Sequence, residues 1–143
     1  MRPRQGHGHQ RWREWLRGGW LHTGDLAELD EDGFLYLRGR EKDVIIRGGN
    51  NVHATDVESV LYEHPAIAEV AVIGLPDEKW GEAVTAVVRL VPGSTLTLEE
   101  LRGFAAEKLA RYKLPLRLHF VDEMPRNPAG KVLKYQLREL LNA

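Results

Sequence analysis

Hydrophobic residues along this chain recur in two periods, and the switches between them lay out its elements. Leu26, Ala27 and Leu29 lead into Asp30-Glu31-Asp32-Gly33, and Phe34, Leu35, Tyr36 and Leu37 lead out. Asp-Gly between two such runs predicts a hairpin, because it accepts turn angles that match the twist of the flanking strands. Val44-Ile45-Ile46 predicts a short strand, and glycines 48 and 49 follow with backbone geometry closed to other residues. Thr55 and Glu58 have the spacing of a capping box, and Val57, Val60 and Leu61 form a helical stripe that stops before Pro65. Strands are predicted at 70–73 and 83–90, on either side of the turn-rich Pro76-Asp77-Glu78-Lys79-Trp80-Gly81. A second capping box, Thr97 with Glu100, opens a helix carrying Leu98, Leu101, Phe104, Ala105 and Leu109 and ending near Tyr112. Leu116 to Val121 predicts another strand, and Tyr135, Leu137, Leu140 and Leu141 a closing helix. This order of elements predicts an α+β fold: one small sheet covered by helices, preceded by a separate β-hairpin.

Composition narrows the picture. The chain has 143 residues, 43% hydrophobic and 29% charged, with a formal net charge of −1. That balance gives no general attraction to nucleic acid, so an anionic ligand must be met by a locally placed cation. There is no cysteine, which excludes disulfides, thiolate metal sites and a cysteine nucleophile. No apolar run approaches the roughly 18 residues of a membrane span, and no h-region of a signal peptide is present. The expected location is the cytoplasm. Residues 1–18 stand apart, with Arg2, Arg4, Arg11, Arg13 and Arg17 against the single acid Glu14. A flexible basic arm is expected there, since it has little to bury beyond Trp12, Trp15 and Leu16. His7 and His9 are too few for a metal site, and none is expected elsewhere.

The candidate chemistry lies in the punctuation between elements. Pro125-Arg126-Asn127-Pro128-Ala129-Gly130-Lys131 is a proline-framed loop that closes on a glycine and delivers one lysine. Pro, Asn and Gly are also ordinary turn residues, so this segment gains weight only from others in order upstream. Those are Thr23-Gly24-Asp25, Gly39-Arg40-Glu41-Lys42-Asp43 and Arg47-Gly48-Gly49-Asn50-Asn51.

With GWLHTGDL at 19–26, DEDGFLYLRGREKDVIIRGGNNV at 30–52, LPDEKWGE at 75–82, YKLP at 112–115 and PRNPAGK at 125–131, the chain resembles the C-terminal part of the adenylate-forming enzymes. These comprise acyl-CoA synthetases, peptide-synthetase adenylation domains and luciferases. The resemblance implies a ligase that joins a carboxylate to ATP as an acyl-adenylate and passes the acyl group to coenzyme A. It implies Lys131 as the catalytic lysine of adenylation, which must offset the repulsion between a carboxylate and a phosphate. It implies Asp25 and Arg40 as nucleotide-binding residues; a carboxylate can accept from both ribose hydroxyls, and a guanidinium fork suits ribose or phosphate oxygens. Lys42 falls at the implied hinge, and Gly48 and Gly49 line the implied pantetheine tunnel, where absent side chains admit a narrow arm.

Trp80, Tyr112 and Lys113 are possible coenzyme A contacts by the same resemblance, against the plainer reading of aromatics that pack beside helix ends. Leu114 and Leu116 stand where some coenzyme A ligases carry basic residues, leaving coenzyme A and a carrier protein both open as acceptors. ATP or AMP and coenzyme A are the implied small molecules, with Mg²⁺ accompanying ATP but bound outside this chain. The expected organisation is an arm at 1–18, a hairpin segment at 19–41 normally attached to an N-terminal domain, and a lid domain at 42–143. The phosphate loop and acyl pocket of such an N-terminal domain have no counterpart in the sequence. The expected partner is therefore that domain, in cis or in trans, together with a small carboxylate, and the isolated chain is expected to be inactive. The alternatives are a stand-alone or vestigial binding module of the same fold, and the lid of a peptide-synthetase-type adenylation domain.

Overall fold

A computed structural model describes residues 16–17, 20–21 and 23–142. The basic arm falls mostly outside them, on residues 1–15. The chain divides into two compact units, residues 1–42 and 43–143.

In the first unit, β1 (Leu16–Arg17) pairs antiparallel with β2 (Trp20–Leu21), and β3 (Asp25–Leu29) with β4 (Leu35–Arg40). The hairpin turn is built on Asp30. Its Oδ1 accepts from the amides of Asp32 and Phe34 at 3.0 and 2.8 Å, and its carbonyl accepts from the amide of Gly33, whose φ is +85°. The Phe34 amide above all, with those of Asp32 and Gly33, holds the Asp30 carboxyl below its usual range.

The second unit is a five-stranded mixed sheet with helices on both faces. Its elements are β5 (Val44–Arg47), β6 (Asn50–His53), α1 (Ala54–Leu61), β7 (Ile67–Asp77), β8 (Gly81–Leu90), α2 (Leu98–Ala106), β9 (Arg117–Phe120) and α3 (Lys134–Asn142). β7 and β8 form a long antiparallel ribbon, and β8 shares its other side between β5, at Gly81, and β9, which runs parallel to it over Thr85–Val88. The near-continuous apolar runs of β7 and β8 follow from burial on both faces. Val70, Val72, Val84, Ala86 and Val88 face α1 and α2 beside Val57, Leu61 and Leu101. Ala71, Ile73, Leu75 and Val87 face the other way, onto Met124 and Leu137 of the α3 side. The expected small sheet covered by helices is present.

Local expectations fared unevenly. Thr97 and Glu100 form the capping box reciprocally, and their hydroxyl and carboxylate satisfy amides that a helix start leaves without partners. The box expected at Thr55 and Glu58 does not form. The helix starts two residues earlier than that box requires, with His53 rather than Thr55 at its N-cap and no side-chain cap. Glu58 is used instead at the sheet edge, accepting from the Val72 amide at 2.8 Å and pairing with Lys134 Nζ at 2.7 Å. Val72 is fully buried on an edge strand, so its amide has no water to turn to. A carboxylate reaching that donor, and neutralised from α3, takes precedence over a cap. The helix expected to reach Tyr112 stops at Ala106, and Arg111–Lys113 is a separate single 3-10 turn.

Leu137 is the one fully enclosed residue of α3, at 1% exposure, whereas Leu140 on the same helix is 65% exposed. Leu137→Ala is expected to destabilise the second unit by about 2–5 kcal/mol in urea unfolding, and Leu140→Ala to stay within about 0.5 kcal/mol. Equal losses would contradict the packing of α3 on the sheet.

Candidate functional site

The Lys131 loop is closed by its own polar groups. Arg126 and Val132 form an isolated antiparallel bridge. The Asn127 amide donates to the Lys131 carbonyl at 2.9 Å, the Gly130 amide to the Asn127 carbonyl at 2.9 Å, and the Lys131 amide to Asn127 Oδ1 at 2.8 Å. Gly130 has φ +83°, a conformation that side chains rarely adopt, and this turns the chain back toward α3. Arg126 Nη1 donates to the Gly130 carbonyl at 2.7 Å, and Leu133 N closes the loop onto the Pro125 carbonyl at 2.8 Å. With the backbone satisfied inside the loop, the Lys131 side chain projects exposed, and its ammonium makes no ion pair or hydrogen bond among the described residues.

A second cluster surrounds Gly48 and Gly49. Both have positive φ, +54° and +82°, in the turn joining β5 to β6. The Gly48 amide donates to the Trp80 carbonyl at 2.8 Å, and a Cβ at Gly48 would lie 2.9 Å from the Trp80 ring. Gly49 has open space on its side-chain position. Trp80 is set by Asp77, whose Oδ1 accepts from the amides of Lys79 and Trp80, both at 3.0 Å, while Oδ2 pairs with Arg117 at 3.1 Å. The Trp80 amide contributes most to holding the Asp77 carboxyl below its usual range.

Arg47 joins these parts, and sequence reasoning missed it. It is only 8% exposed, its guanidinium lies 5.1 Å from the Trp80 ring centroid, and Nη1 donates to the carbonyls of Tyr112 at 2.8 Å and Leu114 at 3.3 Å. Burial lowers its pKa, and Arg102 and Arg111 push it the same way. The nearest signal in the sequence was an arginine directly before the glycine pair, but its partners are carbonyls more than sixty positions away. Through Arg47 the structure gathers Gly48, Gly49, Trp80 and Tyr112. Lys113 is turned toward α1, with Nζ 3.4 Å from Asp56 Oδ2. Leu114 is buried in the α1 and α2 core, so a leucine suits that position for packing.

In the first unit Asp25 and Arg40 are register partners across the hairpin, with Arg40 Nε 3.6 Å from Asp25 Oδ1 and both side chains partly exposed. A register shift beside Leu26 and Ala27 precedes this pair, and Glu41 N donates to the Gly24 carbonyl at 2.8 Å. Lys42 is exposed in the 3-10 turn Glu41–Asp43, where the first unit ends.

The structure does not bring Lys131 to the glycine pair. The Lys131 loop is tied through Arg126 to Glu69 on β7, which is paired with Arg89 near the far end of β8. The glycine turn sits beside Gly81, where β8 begins. Eight residues of strand separate Gly81 from Arg89, roughly 26 Å at about 3.3 Å per residue. Among the described residues there is no cluster of three or more metal-ligating side chains, and no helix is long and apolar enough to cross a membrane.

A small two-faced sheet thus presents a lysine that is unpaired among the described residues near one end of its central ribbon, and a glycine turn at the other. Residues 56–131 match the family of the AMP-binding enzyme C-terminal domain, and the chain belongs to that family. It is 46% identical over 126 residues to a 2-succinylbenzoate–CoA ligase of a Geobacillus species, covering 88% of this chain and 26% of that protein. A fatty acid–[acyl-carrier-protein] ligase of Streptomyces coeruleorubidus is 47% identical over 126 residues, covering 88% of this chain and 24% of that one. Among solved structures, o-succinylbenzoate CoA synthetase from Bacillus subtilis, in complex with an acyl-adenylate intermediate, superposes with a TM-score of 0.81 at 43% identity, covering 88% of this chain and 26% of that one. ATP-bound MatB from Rhodopseudomonas palustris gives 0.83 at 38%, covering 94% and 27%. The chain spans about a quarter of the length of these relatives and corresponds to their C-terminal portion.

Two outcomes follow from the glycine cluster. Gly48→Ala meets both positive φ and the Trp80 ring, and should cost about 1–3 kcal/mol in unfolding; Gly49→Ala meets only the backbone penalty, about 1–2 kcal/mol. A costlier Gly49→Ala would contradict the Trp80 contact. Asp77 has a folded-state pKa below the ordinary 3.8, so its contribution is present above that value and lost as pH falls through the lower one. Asp77→Asn should flatten the stability curve in that acid range, read by the Trp80 indole resonance, and an unchanged curve would remove Asp77 as the turn's anchor.

Proposed function

We propose that this chain is the lid portion of an AMP-forming acid–thiol ligase, working with an N-terminal adenylation domain that holds ATP and a small carboxylate. The observation that carries the reading is the Lys131 ammonium, left without a partner among the described residues by a loop that satisfies its own backbone. A cation so held is available to the carboxylate and phosphate oxygens whose mutual repulsion opposes adenylation, and it needs no rearrangement as charge develops. Asp25 and Arg40, side by side, take the ribose and phosphate of the nucleotide. Their exposure and their neighbouring positions on one hairpin end favour this role.

The separation of roughly 26 Å along the β7–β8 ribbon supports two working poses. A site that receives Lys131 for adenylation cannot at the same time receive the Gly48–Gly49 turn. Lys42, at the end of the first unit, is the hinge between the poses. In the second pose the glycine turn admits the pantetheine arm, with Trp80 and Tyr112 beside it as coenzyme A contacts and Lys113 as an adjacent charge. Magnesium accompanies ATP and is held outside this chain. The relatives are named for 2-succinylbenzoate and for fatty acids, and for coenzyme A and a carrier protein; the reading here is a carboxylic acid with coenzyme A as acceptor, in the cytoplasm.

The test is a hybrid ligase in which residues 19–143 replace the corresponding portion of a 2-succinylbenzoate–CoA ligase. The hybrid should catalyse ATP–pyrophosphate exchange and thioester formation. Lys131→Ala should lower exchange by about a hundred- to thousandfold while leaving thioester formation from supplied acyl-adenylate within a few fold. Gly49→Leu should do the reverse. Equal loss in both half-reactions for either variant would refute its assigned role.

A further inference from the structure

The anchor of the Lys131 loop depends on an irregularity in β7. Ile67 pairs with Leu90 and Glu69 with Arg89, so Ala68 is the extra residue of a bulge. Ile67 and Val70, three positions apart, both enter the core beneath α1 and α2. The odd spacing leaves Glu69 in phase with Ala71 and Ile73, on the face that carries α3 and the Lys131 loop. A regular strand that kept Ile67 buried would aim residue 69 into the same apolar core, where a carboxylate would have no partner.

On that face Glu69 has a side chain 18% exposed and receives two guanidiniums. Arg89 Nε approaches Oε2 at 2.5 Å, and Arg126 Nη2 meets Oε1. Arg126 uses its other terminal nitrogen, Nη1, on the Gly130 carbonyl at 2.7 Å. The fork thus ends one residue before Lys131. A cross-strand pair needs only Arg89, and an isolated exposed ion pair contributes little. The second guanidinium couples the sheet to the loop, which is a task a planar two-ended donor can perform and a point charge cannot.

We propose that Glu69 is a positioning residue for Lys131. Acting through Arg126, it fixes the Gly130 carbonyl and with it the direction in which Lys131 leaves the loop, without touching the reactants. The proposal rests on the reading of Lys131 as the adenylation cation, and its test separates the two.

Amide hydrogen exchange in the 143-residue chain reads the positioning itself. In Glu69→Gln the amides of Asn127, Gly130 and Lys131 should exchange about tenfold faster, with Ile73 and Val87 unchanged. Arg126→Gln, on a partly exposed side chain, should give the same pattern, and the double variant should add nothing to the larger single effect. In the hybrid ligase Glu69→Gln should lower the adenylation kcat about tenfold at unchanged KM for ATP and leave thioester formation intact. Unchanged exchange across 127–131 in both single variants, or equal acceleration in the core strands, would overturn the proposal even with Lys131→Ala impaired. Faster loop exchange with unaltered adenylation would overturn the positioning role if Lys131→Ala is still impaired, and would overturn the reading of Lys131 if Lys131→Ala is unimpaired as well.

Discussion

Burial of the β7–β8 ribbon on both faces is the constraint from which the rest of the second unit follows. With Val72, Ile73, Val84 and Val87 fully enclosed, each strand must carry apolar side chains in both directions, so neither face can host polar chemistry. Polar groups are thereby displaced to the ends of the ribbon and to the loops that reach them. One end holds Gly81, Trp80 and the glycine turn; the other holds Arg89, Glu69 and, through Arg126, the Lys131 loop. The sheet thus carries the glycine turn and the Lys131 loop at opposite ends of its central ribbon.

Charged residues at the margins then do work that hydrophobic burial cannot. Glu58 satisfies the edge amide of Val72 and is neutralised by Lys134, which fastens α1 and α3 across the open side of β7. Arg138 of α3 reaches Asp43 at 3.4 Å, at the start of the second unit. Arg47 fastens the opposite side by filling carbonyls of the Arg111–Lys113 turn and its exit. Glu58 and Arg47 each meet backbone groups left open by the fold, a need fixed by topology, whereas Arg138 and Asp43 pair through their side chains.

That dependence on topology explains what was legible in the sequence. The Asp30 turn, the Thr97–Glu100 box and the proline–glycine loop before Lys131 are local devices, and each was readable because its partners lie within four residues. β6, Asn50–His53, was not foreseen: half its residues are asparagine, and it is a strand because β5 lies beside it. Glu58 sits at capping-box spacing, yet its use was decided by Val72, fourteen positions on. Arg47 and Glu69 lie just outside the strands expected at 44–46 and 70–73, and nothing local marks either. Their roles come from a carbonyl cluster and a bulge that only the assembled sheet defines. The separation of the Lys131 loop from the glycine turn was likewise invisible, because it is measured along a ribbon whose register the sequence does not print.

The central claim is that the Lys131 loop and the Gly48–Gly49 turn enter one active site in alternation. The absence of cysteine from this chain permits a spin label at exposed Glu78, beside the glycine turn, with a second on the N-terminal portion of the hybrid ligase near its nucleotide site. Pulsed dipolar distances should be long with ATP alone and gain a short population when acyl-adenylate and coenzyme A are both present. A single distance, unchanged between those conditions, would contradict alternation.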